Sequence, residues 1–355
     1  MAAPAGVSAS TVSNYFHHPG KLTTATLERV HRAVEALGFV PNNAARMLRT
    51  GTNPVIGYLT ADPVGAGASE TMRAVEQRIA QENMHLLIAT AGSEERERSY
   101  LRLFEQQRVA GIVIAPVADV EPELARIRAH GIPSVVIARP ATSPAQPSVS
   151  ADHALAGRLA VRHLIGQGRR RLGFVSDDLD AWQSQGQLRG AVAALGAAPG
   201  VALEVIRAAG APLTAGIACA EAIARRPPQE RPDGLLCTNG GLAVGAARAL
   251  AAWQGAPDAL DVPVVGYDAT ALAPLAGAPV TAVRVPYREM GEAAVDLLFT
   301  QMAGSHREAP AADPRARPQL RLAPELVLPA SSLPVSGPTT GCPRPVARAR
   351  RPGGT

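Results

Sequence analysis

The chain has 355 residues, but few of them are cysteine, few are aromatic, and no long apolar run occurs. An odd number of widely spaced cysteines argues against a disulfide framework and against a thiolate metal site: Cys219, Cys237 and Cys342. No apolar stretch approaches membrane-spanning length, and the N-terminus lacks the basic-then-apolar pattern of a secretory signal. We therefore expect a cytoplasmic protein that makes no membrane contact and holds no metal.

The motifs of several common enzyme classes are also missing. The sequence contains no Walker loop, no Gly-x-Ser-x-Gly elbow and no paired-histidine metal motif. The acidic run from Asp177 to Asp180 lacks further ligands at a fitting spacing, so it predicts a solvated loop. We expect a protein that is not an enzyme and that needs no cofactor.

What the chain does contain is a distinctive N-terminal pattern. From Ala5 to Ser13, a glycine is followed by a serine and then by short polar residues mixed with aliphatic ones. Gly6 can form a tight turn, and Ser8 can cap a helix that starts after it. This pattern predicts the turn and recognition helix of a helix-turn-helix. Val12 and Phe16, one helical turn apart, are predicted to bury the opposite face.

A second helix is predicted from Thr24 to Leu37, with Gly38 ending it. Its apolar residues are spaced to share one face: Leu27, Val30, Val34 and Leu37. Residues 42–49 are helix-prone but too few to be stable alone, so this segment is expected to fold only against DNA or a partner. Five basic and two acidic residues lie between positions 1 and 51, a balance that fits salt-dependent phosphate contacts.

Several motifs in order resemble the LacI/GalR family of bacterial transcriptional regulators. They are AGVSxSTVS from Ala5 to Ser13, the Pro19-Gly20 turn, Thr26 with Glu28-Arg29-Val30, and LGFVPNNAARMLRTG from Leu37 to Gly51. The resemblance implies a small all-α helix-turn-helix headpiece at residues 1–51, with a hinge helix near residues 42–50. It also implies a homodimer that recognises a pseudo-palindromic operator in double-stranded DNA.

The resemblance assigns roles within the headpiece. Ala9, Ser10 and Asn14 would face bases in the major groove, and Asn14 can pair bidentately with adenine. Leu48 would be the hinge leucine that wedges into the minor groove and kinks the DNA. The implied DNA-binding set is Ser8, Ala9, Ser10, Thr11, Ser13, Asn14, Asn43, Ala45, Arg46 and Leu48, with Asn42 also supporting the hinge. The alternative for the serines is that they only cap and pack.

A departure from the family pattern lies at the start of the headpiece. A helix of about eight residues should precede Ala5 and brace the recognition helix. Residues 1–4 are all that stand there. We therefore expect the helix-turn-helix to be truncated in this sequence, either because the true start lies upstream, which we favour, or because the headpiece is incomplete and binds DNA weakly.

From Pro54 onward, short aliphatic strands alternate with helical stretches, which indicates parallel α/β layers. Predicted strands are 55–59, 86–88, 111–114, 134–137, 171–175, 235–237 and 262–267, and predicted helices include 70–82 and 95–107. Two such halves predict an α/β core of two lobes with a cleft between them. The resemblance to the LacI/GalR family implies that this core, at residues 54–332, is periplasmic-binding-protein-like and serves effector binding and dimerisation. Residues 334–355 are rich in proline, glycine and arginine, and are expected to be a disordered basic tail.

Effector contacts are expected in loops at the carboxyl ends of the strands. The candidates in these loops are Asp62, Arg139, Asp152, Asn239 and Asp268, and the family resemblance adds Gln187 in the helix after strand 171–175. For each one, a helix cap or an interlobe structural contact is the competing interpretation, and this interpretation is favoured for Asp152 and Asp268.

Three departures from the sugar-binding pattern concern the effector. Gln187 stands where an arginine usually grips hydroxyls, Asn239-Gly240 replaces an Asn-Asp pair, and the first-strand loop at 62–67 lacks an aromatic residue. Loss of bidentate and aromatic contacts argues against a typical hexose. The sequence thus predicts a DNA-binding regulator, in particular a repressor modulated by another small molecule. The alternatives are a solute-binding protein of a transport system and an effector-independent regulator.

Overall fold

The computed structural model of the protein describes residues 2–39, 53–63, 65–253, 261–269, 277, 279–304 and 319–328. The predicted hinge helix and the predicted basic tail lie outside these residues. Among the helices that are described, none is long and apolar enough to cross a membrane.

The described headpiece contains three α-helices, α1 (Ala2–Ala5), α2 (Ala9–His17) and α3 (Thr24–Leu37), and a short 3-10 helix at Pro19–Lys21. Gly6 takes a left-handed conformation, with φ of 60°, and turns the chain between α1 and α2. Gly38, with φ of 53°, ends α3 in the left-handed conformation that suits glycine. The predicted turn, recognition helix and second helix are therefore confirmed, together with their bounds at Thr24 and Leu37.

The headpiece core is small and differs in detail from the predicted one. Its buried residues are Ala5, Val30 and Ala33, and the side chains packed on them are Val7, Tyr15 and Val34. Tyr15, rather than Val12 or Phe16, is thus the packed side chain of α2. Leu37 was predicted to share the buried face of α3 but is 51% exposed in the last turn of that helix, and Phe39 after it contacts the ring of Phe16 instead.

The described part of the core contains two six-stranded sheets, one in each lobe. The first lobe has the order β11-β5-β4-β3-β1-β2, and the second has β12-β10-β9-β8-β6-β7. All strand pairs are parallel except β12 with β10. The strands are β1 Val55–Thr60, β2 His85–Thr90, β3 Gly111–Ile114, β4 Ser134–Ile137, β5 Ser148–Ala151, β6 Arg171–Ser176, β7 Ala202–Arg207, β8 Gly234–Cys237, β9 Val264–Tyr267, β10 Thr281–Arg284, β11 Gln319–Leu322 and β12 Glu325–Val327.

Helices alternate with these strands and cover the sheets. They are α4 Ala66–Ala80, α5 Glu94–Gln106, α6 Glu121–Ala129, α7 His153–Gly166, α8 Trp182–Leu195, α9 Pro212–Ala224, α10 Gly240–Trp253 and α11 Tyr287–Gly304. The strands β3 and β4 are buried along their whole length, as parallel strands covered on both faces should be. Their predicted bounds are confirmed. The predicted helix 70–82 is α4, which begins four residues earlier and ends at Ala80.

The chain passes between the lobes at three places. It runs from β5 into α7, from β10 into α11, and from β11 into β12. We call these segments the crossovers. One buried apolar cluster contains residues from both sheets, including Tyr58 and Val113 of the first and Phe174 and Leu236 of the second. The crossovers and this cluster hold the two lobes together in the region where the carboxyl ends of their strands meet.

Candidate functional sites on the headpiece and at the lobe crossovers

The recognition helix α2 has a well-defined start. Ser8 has an extended backbone conformation, and its Oγ accepts a hydrogen bond from the backbone N–H of Thr11 at 3.1 Å. The same Oγ lies 2.7 Å from the hydroxyl of Ser10 and 2.8 Å from that of Thr11. Ser8 thus satisfies an otherwise free amide at the helix start.

Beyond this cap, α2 presents small side chains to the outside. Ala9 and Ser10 are exposed, while Thr11, Ser13 and Asn14 are half-buried. This face leaves the α2 backbone accessible. Asn43, Ala45, Arg46 and Leu48, the predicted hinge contacts, lie outside the described residues.

Arg29 on α3 holds the turn before the recognition helix. Its Nη2 donates hydrogen bonds to the carbonyl oxygens of Ala5, at 2.9 Å, and Gly6, at 2.7 Å. Tyr15 and His31 make a further link between α2 and α3, with 2.8 Å from Oη to Nδ1. Sequence reasoning noted Arg29 only as part of a motif, since nothing in its spacing reveals a bond to carbonyls more than 20 residues away.

In the core, Gln187 is the most deeply buried of the effector candidates. Its side chain is 1% exposed, and Nε2 donates to the carbonyl oxygen of Thr238 at 3.5 Å. The amide lies close enough to Tyr267 to affect its hydroxyl. The Oε1 atom has no hydrogen-bond partner among the described residues. A buried acceptor without a partner is costly unless another molecule supplies a donor.

His153, at the first crossover, is bound to the same group of residues. Its Nδ1 lies 2.5 Å from the hydroxyl of Tyr267, at the carboxyl end of β9. Burial lowers the pKa of His153 to about 4, because the charged imidazolium loses its hydration. The imidazole is therefore neutral near pH 7 and can take part in a neutral hydrogen bond with the tyrosine.

Asp268 follows Tyr267 and binds the second crossover. Its carboxylate accepts hydrogen bonds from the backbone N–H of Val285, at 3.1 Å, and from the hydroxyl of Tyr287. Burial raises the pKa of Asp268 to about 6, although both hydrogen bonds oppose this rise. Asp268 also has a positive φ of 56°. These contacts join the end of β9 to the start of α11.

Asp152 and Asn239 both cap helices. Oδ1 of Asp152 accepts from the N–H of Leu155 at 2.7 Å, at the start of α7. Oδ1 of Asn239 accepts from the N–H of Leu242 at 2.9 Å, at the start of α10, and its Nδ2 lies 3.0 Å from both carboxylate oxygens of Asp177. A carboxylate thus stands beside Asn239 after all, supplied by the acidic loop after β6. The sequence pair Asn239-Gly240 gave no sign of it.

The two remaining candidates lie in other loops. Arg139 donates a hydrogen bond to the carbonyl oxygen of Ala118 and lies near the buried Glu97. The Glu97 carboxylate accepts from the N–H groups of Val117, at 2.8 Å, and Ala118, at 3.2 Å. Asp62 is exposed after β1. The structure therefore brings Asp152, Gln187, Asn239 and Asp268 into one region, because their sequence neighbours His153, Thr238 and Tyr267 contact one another or Gln187. It places Arg139 against the loop after β3.

The site thus contains His153, Tyr267, Tyr287 and Asp177, which sequence reasoning did not propose. His153 follows a predicted candidate directly, and both tyrosines flank a strand or helix end. The polar residues after strands were a usable signal, but buried aromatic hydroxyls were not distinguishable from core residues. Within the described ranges, no three metal-ligating side chains gather in one group.

A three-helix unit with an open recognition helix, ahead of a two-lobed α/β core with a polar interlobe site, defines a class of ligand-responsive DNA-binding proteins. The family model for bacterial regulatory proteins of the lacI family matches residues 1–42, and the model for a periplasmic binding protein-like domain matches residues 161–328. The chain belongs to the lacI family of bacterial regulatory proteins and is a DNA-binding transcriptional regulator.

Similar proteins of known name cover most of the chain. The regulator PtxS of Pseudomonas putida is 30% identical over 307 residues, which are 86% of this chain and 88% of PtxS. The repressor PurR of Vibrio atlanticus is 29% identical over 309 residues, 86% of this chain and 91% of PurR. Both names denote regulators of transcription, a class that acts by binding.

Solved structures agree in fold over the headpiece and core together. A Lac repressor bound to ONPG in the repressed state superposes with a TM-score of 0.75 at 23% identity, covering 92% of this chain and 97% of that one. A complex of the regulator CelR with cellobiose gives a TM-score of 0.64 at 25% identity, covering 93% and 98%. The two-lobed architecture predicted from the sequence is therefore confirmed.

Proposed function

We propose that the protein is a homodimeric repressor that binds a pseudo-palindromic operator. A small molecule bound between the lobes raises or lowers its affinity for that operator. The observation that carries the DNA-binding part is the recognition helix α2. Its start is capped, its turn is fixed by Arg29, and its outward face bears only small or short polar side chains. A helix of this kind can enter the major groove closely.

Within this face, Asn14 is the side chain with the greatest capacity for base recognition. An asparagine can donate to and accept from one adenine, whereas Ala9 and Ser10 offer an apolar contact and a single hydroxyl. Ser8, Thr11 and Ser13 would support the helix and contact phosphates. Residues Asn43, Ala45, Arg46 and Leu48 complete the proposed set, with Leu48 as the minor-groove wedge.

The dimer is supported by an uncovered face of the first lobe. A groove of about 890 Å³ runs between α4 and the edge strand β2, and its apolar lining includes Met72, Met84, Leu86 and Ile88. On the same strand, Leu87 is 39% and Ile88 is 46% exposed. An apolar edge strand left open is a liability for a single copy, and a second copy related by a twofold axis would cover it.

The effector is proposed to contact Gln187, Asn239, Asp62 and Arg139, while Asp152 and Asp268 shape the site from beneath. Because the buried Oε1 of Gln187 has no partner among the described residues, a hydrogen-bond donor on the ligand would stabilise the complex. The carboxylates of Asp62, Asp177 and Asp268 add further acceptors at the strand ends. A ligand rich in N–H or O–H donors fits this set, and the arginine that grips hexose hydroxyls in the family pattern is absent.

Two solved relatives show what such sites can hold. One Lac repressor dimer is bound to its operator and to the anti-inducer ONPF, and CelR is bound to cellobiose. Carried over to this chain, they support coupling between an interlobe ligand and operator DNA.

Selection from random duplex DNA, at low and at physiological salt, tests the proposal directly. We expect enrichment of a pseudo-palindrome, and we expect an Asn14→Ala variant to lose the preference at one base pair in each half-site. Leu48→Ala should bind the same sequence more weakly and leave it unbent. Failure of the wild-type protein to enrich any sequence under both conditions would overturn the DNA-reading function.

A further inference from the structure

A small cavity lies at the first crossover, outside the group formed by Gln187, Tyr267 and Asp268. Its volume is about 70 Å³. The first lobe contributes Pro140 and Arg321, the first turn of α7 contributes His153, and α8 contributes Trp182, Gly186 and Arg189. Gly186 and Arg189 lie on the side of α8 that meets this cavity, whereas Gln187 points to Thr238. The cavity borders the proposed effector site and shares Asp152 and His153 with it, but Gln187, Asn239 and Asp268 do not line it.

Two arginines, one from each lobe, line this cavity without a carboxylate partner. Among the residues that the structure describes, neither Arg189 nor Arg321 forms an ion pair, whereas Arg169 and Arg284 each lie within 3 Å of a carboxylate. Two unpaired guanidinium groups at one cavity repel each other, although solvent reduces this cost because both side chains are exposed. An anion between them would remove that cost and satisfy their planar N–H donors.

The position of Arg189 is supported by its own helix. Its guanidinium lies 5.5 Å from the centre of the Trp182 ring, in a cation–π contact. Trp182 is 45% exposed, and its contact with the Arg189 guanidinium limits the positions which that side chain can take. Less side-chain entropy is then lost when Arg189 binds a ligand.

The surroundings of the cavity are positively polarised. It adjoins the first turn of α7, a helix of 14 residues whose N-terminal end carries a partial positive charge. Arg189 and Arg321 both act on His153 and disfavour its protonated form, which places both charges near the same point. The carboxylate of Asp152, also at the cavity, is occupied by the N–H of Leu155 and lies 3.9 Å from Arg158.

We propose that this cavity binds an oxyanion of phosphate size, held between Arg189 of the second lobe and Arg321 of the first. The ligand is a phosphoryl group, either as free phosphate or as the end of a phosphomonoester. Because the two arginines belong to different lobes, a bound oxyanion would hold the lobes in one relative arrangement. The site would thus add an anion input to the regulator, beside the position proposed for the interlobe effector.

The test titrates inorganic phosphate into the full-length protein at constant ionic strength and follows the melting temperature and calorimetric binding. Phosphate should bind one site per chain and raise the melting temperature. Arg189→Gln and Arg321→Gln should each weaken phosphate binding about tenfold, since each removes charge-assisted hydrogen bonds. Arg162→Gln is the matched control: Arg162 is an exposed arginine on α7 away from the cavity, and its replacement should change nothing.

Two results would overturn the proposal. The first is that neither phosphate nor glycerol 3-phosphate binds saturably. The second is that all three arginine variants lose the same amount of phosphate affinity, which would indicate attraction by net charge alone. Tighter binding of glycerol 3-phosphate than of phosphate would identify a phosphomonoester as the ligand, and equal binding would identify free phosphate. The imidazole resonances of His153 supply a second readout, because a nearby anion should raise the pKa of His153. DNA binding enters neither measurement, so failure here leaves the repressor function standing.

Discussion

The headpiece and the core use polar residues in opposite ways. On the recognition helix the proposed contact residues are short and partly exposed, and the hydrogen bonds of Ser8 reach only near neighbours such as Thr11. At the crossovers the polar groups are buried and bonded across long sequence separations, as His153 is to Tyr267. A DNA surface needs free donors and acceptors, whereas an interlobe site needs its groups held in place until a ligand arrives. The two regions should therefore fail in different ways when altered.

The largest effect should follow from a methyl group placed between α7 and α8. A Cβ at Gly190 would lie 1.8 Å from the carbonyl oxygen of Ala154, which is backbone and cannot rotate away. Gly190→Ala should lower the free energy of unfolding of the core by about 3 kcal/mol, measured by denaturant titration. Gly166→Ala, on α7 with open space around the added atom, is the control and should leave stability nearly unchanged. Equal stability of the two variants would contradict the close helix contact.

A second contrast concerns pH, since two buried groups of the core titrate in opposite senses. The pKa of Asp268 is raised by burial to about 6, so its contribution to stability is present at low pH and is lost as the pH rises through 6. The pKa of His153 is lowered by burial to about 4, so its contribution is present above pH 6.5 and is lost as the pH falls through 4. Between these values the two contributions largely cancel.

Single variants should reveal the cancellation. From about pH 4.5 to 6, Asp268→Asn should make stability increase with pH, and His153→Gln should make it decrease, each by roughly 1 to 2 kcal/mol across the window. Chemical denaturation at a series of pH values measures both slopes. Parallel profiles for the two variants and the wild type would show that neither group titrates as its burial requires.

On the headpiece, loss of Arg29 should impair DNA binding without affecting the core. Arg29→Ala removes the two hydrogen bonds that fix the turn before α2. We expect operator affinity to fall about tenfold, a modest value because the side chain is exposed. The melting temperature of the core should not change. Arg32→Ala, at an exposed position on the same helix, controls for loss of charge and should weaken binding less.

The smallest effect should come from the helix cap. Ser8→Ala leaves the N–H of Thr11 without its acceptor and should reduce operator affinity about fivefold, in line with a cap worth ~1 kcal/mol. Ser8→Thr retains a hydroxyl acceptor and should restore most of the affinity. If Thr failed as Ala does, the hydroxyl would act through direct contact with DNA rather than through the helix.

The same contrast explains what the sequence could predict. Headpiece structure follows from local signals: Gly6, Ser8 and Gly38 specify turn, cap and stop at their own positions, and all three were predicted. Aliphatic runs such as 111–114 also identify buried strands. The short strand β5, Ser148–Ala151, was missed because two serines interrupt its apolar pattern, although every residue in it is buried.

The interlobe site was predictable only in part. Polar residues after strands led to Asn239 and Asp268, and the family position of a ligand-binding arginine led to Gln187, but neither signal led to their partners. Asp177 and Tyr267 are 62 and 114 residues from the groups they bind, Asn239 and His153, and only the fold brings them together. Arg139 shows the converse, since its place after a strand was correct while its hydrogen bond goes to the loop after β3.

The end of β9 has a mechanical meaning beyond its hydrogen bonds. Tyr267 binds the first crossover and Asp268, the next residue, binds the second. Tyr267 is the last residue of β9, and Asp268 leaves the strand in a left-handed conformation, so two consecutive residues at this point bind the two crossovers. A ligand that displaced the end of β9 would therefore disturb both bonds at once, and with them two of the three passages of the chain between the lobes.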